Sequence, residues 1–155
     1  MATHSERLAA LGLTLPPVPA PLAAYVPAVR HGELVFTSGQ LPMRDGYLLA
    51  AGLVGDEVTP EQARELARVC ALNALAAAAS VAGGLDAVTR VLKVVGFVAS
   101  APGFTGQPTV VNGASELLRD VLGDAGVHAR SAVGVAALPL GAPVEVELTL
   151  LVGEQ

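Results

Sequence analysis

Apolar and polar residues alternate through the last third of the chain. In VEVELTLLV, residues 144–152, the side chains Val144, Val146, Leu148, Leu150 and Val152 fall on one side of an extended strand, and Glu145 and Glu147 on the other. RSAVGVAA, residues 130–137 with Ala129 before them, alternates as well: Ser131, Val133 and Val135 share one side, and Arg130, Ala132, Gly134 and Ala136 the other. Two earlier strands are predicted at 25–30 (YVPAVR) and 33–38 (ELVFTS), split by the turn residues His31 and Gly32. Asp45-Gly46 is a hairpin signal between residues 41–43 and 47–49. Residues 52–58 read as irregular loop, and TRVLKVVGFVAS, residues 89–100, is rich enough in β-branched side chains for a further strand.

Helical signals fall between these strands. Residues 5–12 predict a short helix, followed by a proline-rich lead that cannot be regular. Thr59-Pro60-Glu61-Gln62 opens a long helix, with Thr59 as N-cap, Pro60 in the first turn and Gln62 placed for a capping box; Gly83-Gly84 closes it. Its second half, residues 69–82, has no charge, and Asn73 and Ser80 are its only polar side chains. A helix apolar on nearly every side is covered on nearly every side. A second helix is predicted at Thr109–Leu122, after the Gly/Pro loop APGFTGQP. The order β-β-α-β-α-β-β predicts an α+β fold, with helices on one face of a largely antiparallel sheet. Residues 1–20 read as an N-terminal extension and 21–155 as a single domain.

Composition narrows the function classes. With 52% apolar and only 15% charged residues, the chain is too hydrophobic for disorder, and its low charge implies that other subunits hide part of the surface. The net charge of −5, with Lys93 as the single lysine among scattered arginines, leaves no basic stripe, so no nucleic-acid partner is expected. Nor is a membrane partner: no apolar run reaches the ~18 residues of a spanning helix without Gly, Pro or Asn. One cysteine, Cys70, excludes an internal disulfide framework and is read as core packing; the expected location is cytoplasmic. His4, His31 and His128 lie far apart without acidic or thiol residues at ligand spacing, so no metal is expected; His128, just before the Ala129-Arg130 strand, is read as a surface turn residue, the alternative being a group at the rim of a site beside Arg130. Pairing of the last two strands through the turn at 138–143 would put Arg130 beside Glu145 and Glu147 on the sheet face away from the helices. There the pair is either a solvated salt bridge or, among such small neighbours, an intersubunit anchor for a carboxylate.

Four segments in order resemble the reactive-intermediate deaminase family (Rid, or YjgF-like, also labelled endoribonuclease L-PSP). They are Tyr25-Val26; Thr37-Ser38-Gly39-Gln40-Leu41-Pro42; Val111-Asn112; and Ala129-Arg130-Ser131 with Ala137-Leu138-Pro139 and Val144-Glu145-Val146-Glu147. The resemblance implies a chorismate-mutase-like α+β fold and a homotrimer with sites in the clefts between subunits. It also implies hydrolysis of 2-imino or enamine acids of the 2-aminoacrylate type to the 2-keto acid and ammonia, without metal or organic cofactor. By resemblance, Arg130 grips the substrate carboxylate and Glu145 stands near the attacking water. Tyr25 enters the cleft, Ser38 and Gly39 line it, and Asn112 and the Ala132 backbone face it. Ala132 stands where active members often carry Cys, and Gly134 where familiar members carry an acid. These departures leave a second expectation open, a trimer that binds small carboxylates without turnover. The Gly103-Phe104-Gly106 loop is a candidate cover for the cleft.

Overall fold

The longest element, α2 (Pro60–Ala82), begins and ends where the local chemistry dictates. The Thr59 hydroxyl accepts from the Gln62 backbone N–H at 3.1 Å, and the Gln62 carbonyl accepts from the Thr59 N–H at 3.0 Å. At the far end Gly83 takes the left-handed conformation (φ 90°) that stops the helix. Composition and length alone would let α2 cross a bilayer, but here its alanines pack into the core of the fold. The second long helix, α3 (Gln107–Leu122), starts two residues earlier than expected because Pro108 is tolerated in a first turn. The two helices cross very closely: a Cβ at Gly113 would overlap the Arg64 carbonyl oxygen. A computed structural model describes residues 1–20 and 24–154; residues 21–23 of the proline-rich lead, and Gln155, lie outside the described residues.

Both helices lie against one face of a five-stranded sheet. Its strands are β1 (Ala28–His31), β2 (Leu34–Thr37), β5 (Val88–Ala99), β6 (Ala129–Val135) and β7 (Val144–Val152), in the order β1-β2-β7-β5-β6. A separate hairpin, β3 (Met43–Arg44) and β4 (Tyr47–Leu48), turns through Asp45 (φ 53°) and Gly46 (φ 82°), the two positive φ values a tight hairpin needs. The first strand begins at Ala28 rather than at Tyr25, since Pro27 has no N–H to donate. The N-terminal helix α1 (His4–Ala10) is docked on the body: Leu8 is buried, and the Ser5 N–H donates to Asp86 Oδ1 at 2.8 Å.

The expected pairing of the last two strands does not occur. β5 lies between β6 and β7, antiparallel to β7 and parallel to β6. Parallel neighbours need a long crossover, and α3 supplies it between β5 and β6. This insertion changes which side chains meet the helices. Val94 pairs with Arg130 and Leu148, Gly96 with Ala132 and Val146, Val98 with Gly134 and Val144. Those β5 and β7 partners are buried beneath the helices. Arg130, Ala132 and Gly134 therefore face the helix layer, a correction to their expected place on the opposite face. The bare face holds Val95 and Phe97, flanked by Glu147 and Glu145 on one side and Ser131 and Val133 on the other. No helix covers it. Cross-strand partners Val29 and Phe36 stand 53% and 48% exposed there, and Val133 45%.

Candidate functional site

The predicted residues separate into two groups. The first is built on β6 and α3. Arg130 sits on the edge strand with its side chain over α3, where Nη1 donates to Asn112 Oδ1 at 2.7 Å and to Ser115 Oγ at 3.2 Å. Asn112 and Ser115 are three residues apart on one helix and so share a face. The Ser115 hydroxyl in turn lies 2.9 Å from His128 Nε2, and His128 Nδ1 lies 2.6 Å from the Gly126 carbonyl oxygen. A carbonyl can only accept, so Nδ1 carries the ring proton, Nε2 is the acceptor, and Ser115 donates to it. His128 is thus not a simple turn residue. Burial pushes its imidazole below the ordinary value; the Arg130 charge adds to that fall and the Gly126 hydrogen bond opposes it. Ala132, two residues along the strand, packs against the core as a small neighbour.

The guanidinium keeps one edge open. Both N–H bonds of Nη1 are engaged, whereas Nε and Nη2 have no partner among the described residues. Those two donors lie side by side along one edge of the planar group, the spacing that matches the two oxygens of a carboxylate.

The second group lies at the end of β2 and on the bare face. After Phe36 pairs with Thr149, the chain slips by one residue before Gln40 bridges Val146, so Ser38 and Gly39 bulge out of the ladder. Thr37 is buried there and its hydroxyl accepts from the Leu148 N–H at 3.0 Å, filling the gap the slip leaves. Gly39 lies against the Glu145 carboxylate; a Cβ at this position would overlap Oε1. Ser38 Oγ donates to the Val26 carbonyl at 2.7 Å and so anchors the segment carrying Tyr25, whose ring is 67% exposed. Burial, and after it the nearby Glu147, push the Glu145 carboxyl above its ordinary range.

Within one chain these groups do not meet. Glu145 pairs with Phe97 and Arg130 with Val94, three residues apart along β5 and on strands two apart, which is about 14 Å between backbones at ordinary strand spacings. They also project from opposite faces. Arg130 therefore has no acidic partner from β7, another departure from the expected pairing.

The other singled-out residues have structural roles. Cys70 is fully buried, its Sγ 3.7 Å from the Val144 carbonyl oxygen, and burial pushes the thiol well above its usual range. His4 Nε2 lies 2.9 Å from the Val88 carbonyl oxygen, and His31 is exposed on β1. Among the described residues no three His, Cys, Asp or Glu side chains converge as a metal site. Loop 101–106 is tied down: the Ala101 N–H donates to the Val54 carbonyl at 2.9 Å, Gln107 Nε2 donates to the Phe104 carbonyl at 2.8 Å, and the Phe104 ring packs over Gly55.

The α+β sheet, with its parallel strand pair bridged by α3 and both long helices on one face, defines a class, the chorismate-mutase-like folds. A family model described as "YjgF/chorismate mutase-like, putative endoribonuclease" matches residues 5–151, and the chain belongs to that family. It is 45% identical to Protein TCP17 of Trypanosoma cruzi over 144 residues, covering 92% of this chain and 90% of that protein. The crystal structure of Atu1372, a protein of unknown function from Agrobacterium tumefaciens, superposes with a TM-score of 0.88 at 45% identity, over 96% of this chain and 92% of that one. Escherichia coli TdcF with bound serine superposes with a TM-score of 0.63 at 26% identity, covering 86% and 92% of the two chains.

Proposed function

We propose that the protein hydrolyses 2-imino and enamine acids of the 2-aminoacrylate type to the 2-keto acid and ammonia, in clefts between the subunits of a homotrimer. The observation that carries this is the open Nε/Nη2 edge of Arg130, held in place by the ties on Nη1. A 2-imino acid is a carboxylate with an electrophilic carbon next to it. Two parallel N–H···O bonds from Arg130 fix the carboxylate and thereby aim the C=N carbon. Water adds to that carbon, the C–O bond forms as the nitrogen takes a proton, and the resulting amino alcohol expels ammonia as the C=O bond forms. A carboxyl group with a raised pKa suits the proton traffic of both steps, and Glu145 is the group of that kind. Because Glu145 and Arg130 lie far apart in one chain, the Glu145, Tyr25, Ser38 and Gly39 group comes from an adjacent copy. The uncovered apolar sheet face with Val29, Phe36 and Val133 supports such assembly. TdcF was crystallised with serine, a small amino acid with a free carboxylate, which favours the same ligand class here. The acidic chain with Lys93 as its single lysine is a poor match for an RNA backbone.

The test is hydrolysis of 2-aminoacrylate supplied by a serine dehydratase, read as faster keto-acid release than the spontaneous rate, beside sedimentation of the same sample. Acceleration by a trimer is the expected result. Binding of pyruvate without acceleration would replace the enzyme by a carboxylate-binding protein, the outcome that Ala132, lacking a thiol, most favours.

A further inference from the structure

Arg130 is held by a chain of three polar groups that reaches away from the cleft. The Gly126 carbonyl accepts from His128 Nδ1, His128 Nε2 accepts from the Ser115 hydroxyl, and Ser115 Oγ accepts from Arg130 Nη1, at 2.6, 2.9 and 3.2 Å. Each link has one consistent polarity, set at its origin by a carbonyl that can only accept. Asn112 Oδ1 takes the other N–H of Nη1 at 2.7 Å. We infer that Ser115 and His128 are positioning residues: they hold Arg130 in the one side-chain torsion, about its Cδ–Nε bond, that turns the planar guanidinium so as to present Nε and Nη2 to a substrate carboxylate. The inference rests on the imine-hydrolase proposal, and it adds two residues that never touch the substrate.

The physical case is one of rotational freedom. An arginine tethered by a single hydrogen bond at Nη1 swivels about that contact. With two acceptors about Nη1, the plane of the guanidinium is set. Asn112 alone cannot do this, since it supplies one oxygen. Ser115 supplies the second only while its own hydroxyl proton points elsewhere, and His128 Nε2 is the group that receives it. Arg130 is half-buried, so an unaimed guanidinium would hydrogen-bond to water and lose its alignment with the ligand.

His128 suits this task for a second reason. A protonated imidazole would turn Nε2 into a donor, and the Ser115 proton would then have no acceptor there. Burial and the nearby guanidinium keep the ring neutral, and Arg130 is the charged group that bears on it. The two substitutions that matter therefore differ in kind. Asn at position 128 places its amide near the Gly126 carbonyl but does not reach Ser115, whereas Gln places an oxygen near the Nε2 position and can accept from Ser115.

Two measurements on the full chain test this. Long-range 1H–15N spectra of the three histidines read the tautomer of the resting protein. His128 is expected as the Nδ1–H form at pH 7.5, and the Nε2–H form would overturn the relay whatever the activity proves to be. Steady-state hydrolysis of 2-iminopropanoate, released from alanine by an amino-acid oxidase, reads the function. Ser115→Ala and His128→Asn should each raise KM about three- to tenfold, the range of one neutral hydrogen bond, with kcat within about twofold. His128→Gln should restore the wild-type KM. Unchanged KM in Ser115→Ala and His128→Asn, with Arg130→Ala inactive, would sink the positioning role and leave the hydrolase standing. Full activity of Arg130→Ala would instead remove the hydrolase reading, and the positioning role with it.

Discussion

The Arg130 group and the Glu145 group use polar side chains in opposite ways. Around Arg130, Asn112, Ser115, His128 and the Gly126 carbonyl form one connected set, anchored on a helix and an edge strand of the same chain. Around Glu145 there is little of this among the described residues: a glycine lies against the carboxylate, Tyr25 is largely exposed, and the charged group that bears on the carboxyl is another acid, Glu147. The first region is finished by its own fold. The second is a set of surfaces that its own chain leaves uncovered, and the proposed assembly would complete it. In the proposed intersubunit cleft, the rigid half would aim the substrate and the bare half would be brought up by assembly.

The contrast can be broken most severely at Arg130. Replacing it by Ala should cut kcat/KM about a hundredfold or more, the loss of two charge-assisted hydrogen bonds, measured in the coupled imine assay. Mixing Arg130→Ala subunits with Glu145→Gln subunits, each inactive alone, should return about one quarter of the native clefts if the halves come from different chains, because one pairing in four carries both native residues. No recovery after subunit exchange would place both halves in one chain.

The next effect is on stability and belongs to the finished half alone. Gly113→Ala drives a methyl into the Arg64 carbonyl where α2 crosses α3. It should cost about 1–3 kcal/mol in urea unfolding, since neither helix backbone can yield cheaply. Gly39→Ala has the reverse profile. Its Cβ would meet the Glu145 carboxylate, a side-chain end that can swing away, so unfolding free energy should change by less than about 1 kcal/mol while kcat falls about tenfold. A loss of stability in Gly39→Ala equal to that of Gly113→Ala would erase the distinction between the halves.

The smallest effect is a pH dependence. The folded carboxyl of Glu145 sits above its ordinary value of 4.5, so the native state holds that proton more tightly than the unfolded chain. Its contribution is fullest below about 4.5 and is lost as pH rises through the raised folded value. His128 has the opposite sign from the same cause, because burial acts on a base: lowered below 6.5, it makes the native state bind its proton less well, so stability rises with pH through the interval below 6.5. Glu145→Gln should flatten the first slope and leave the second, measured by denaturant unfolding from pH 4 to 8.

Much of the fold is legible locally. Thr59, Gln62 and Gly83 bound α2 through groups within four residues of each end, and Asp45-Gly46 makes its hairpin through its own φ angles. The β7 alternation correctly assigns Val144, Val146, Leu148, Leu150 and Val152 to the core and Glu145 and Glu147 to the far side. The same rule applied to β6 finds the right two sets and puts them on the wrong faces. Alternation says which side chains go together; it does not say which set meets the helices. That choice depended on β5 entering between β6 and β7, an event of long-range pairing. Ser115 was available from its spacing to Asn112, three residues on the same helix face, but nothing local marks His128 as its partner thirteen residues later.

By itself, then, the sequence determined the helices, the hairpin, the strands and the segments that mark the family, because caps, turns and alternation act between near neighbours in the chain. The tertiary structure alone decided the parallel insertion of β5, the turn of Arg130 toward α3 and its distance from Glu145. Strand order is settled by how helices and strands bury their apolar faces together, and no short stretch of residues contains that information.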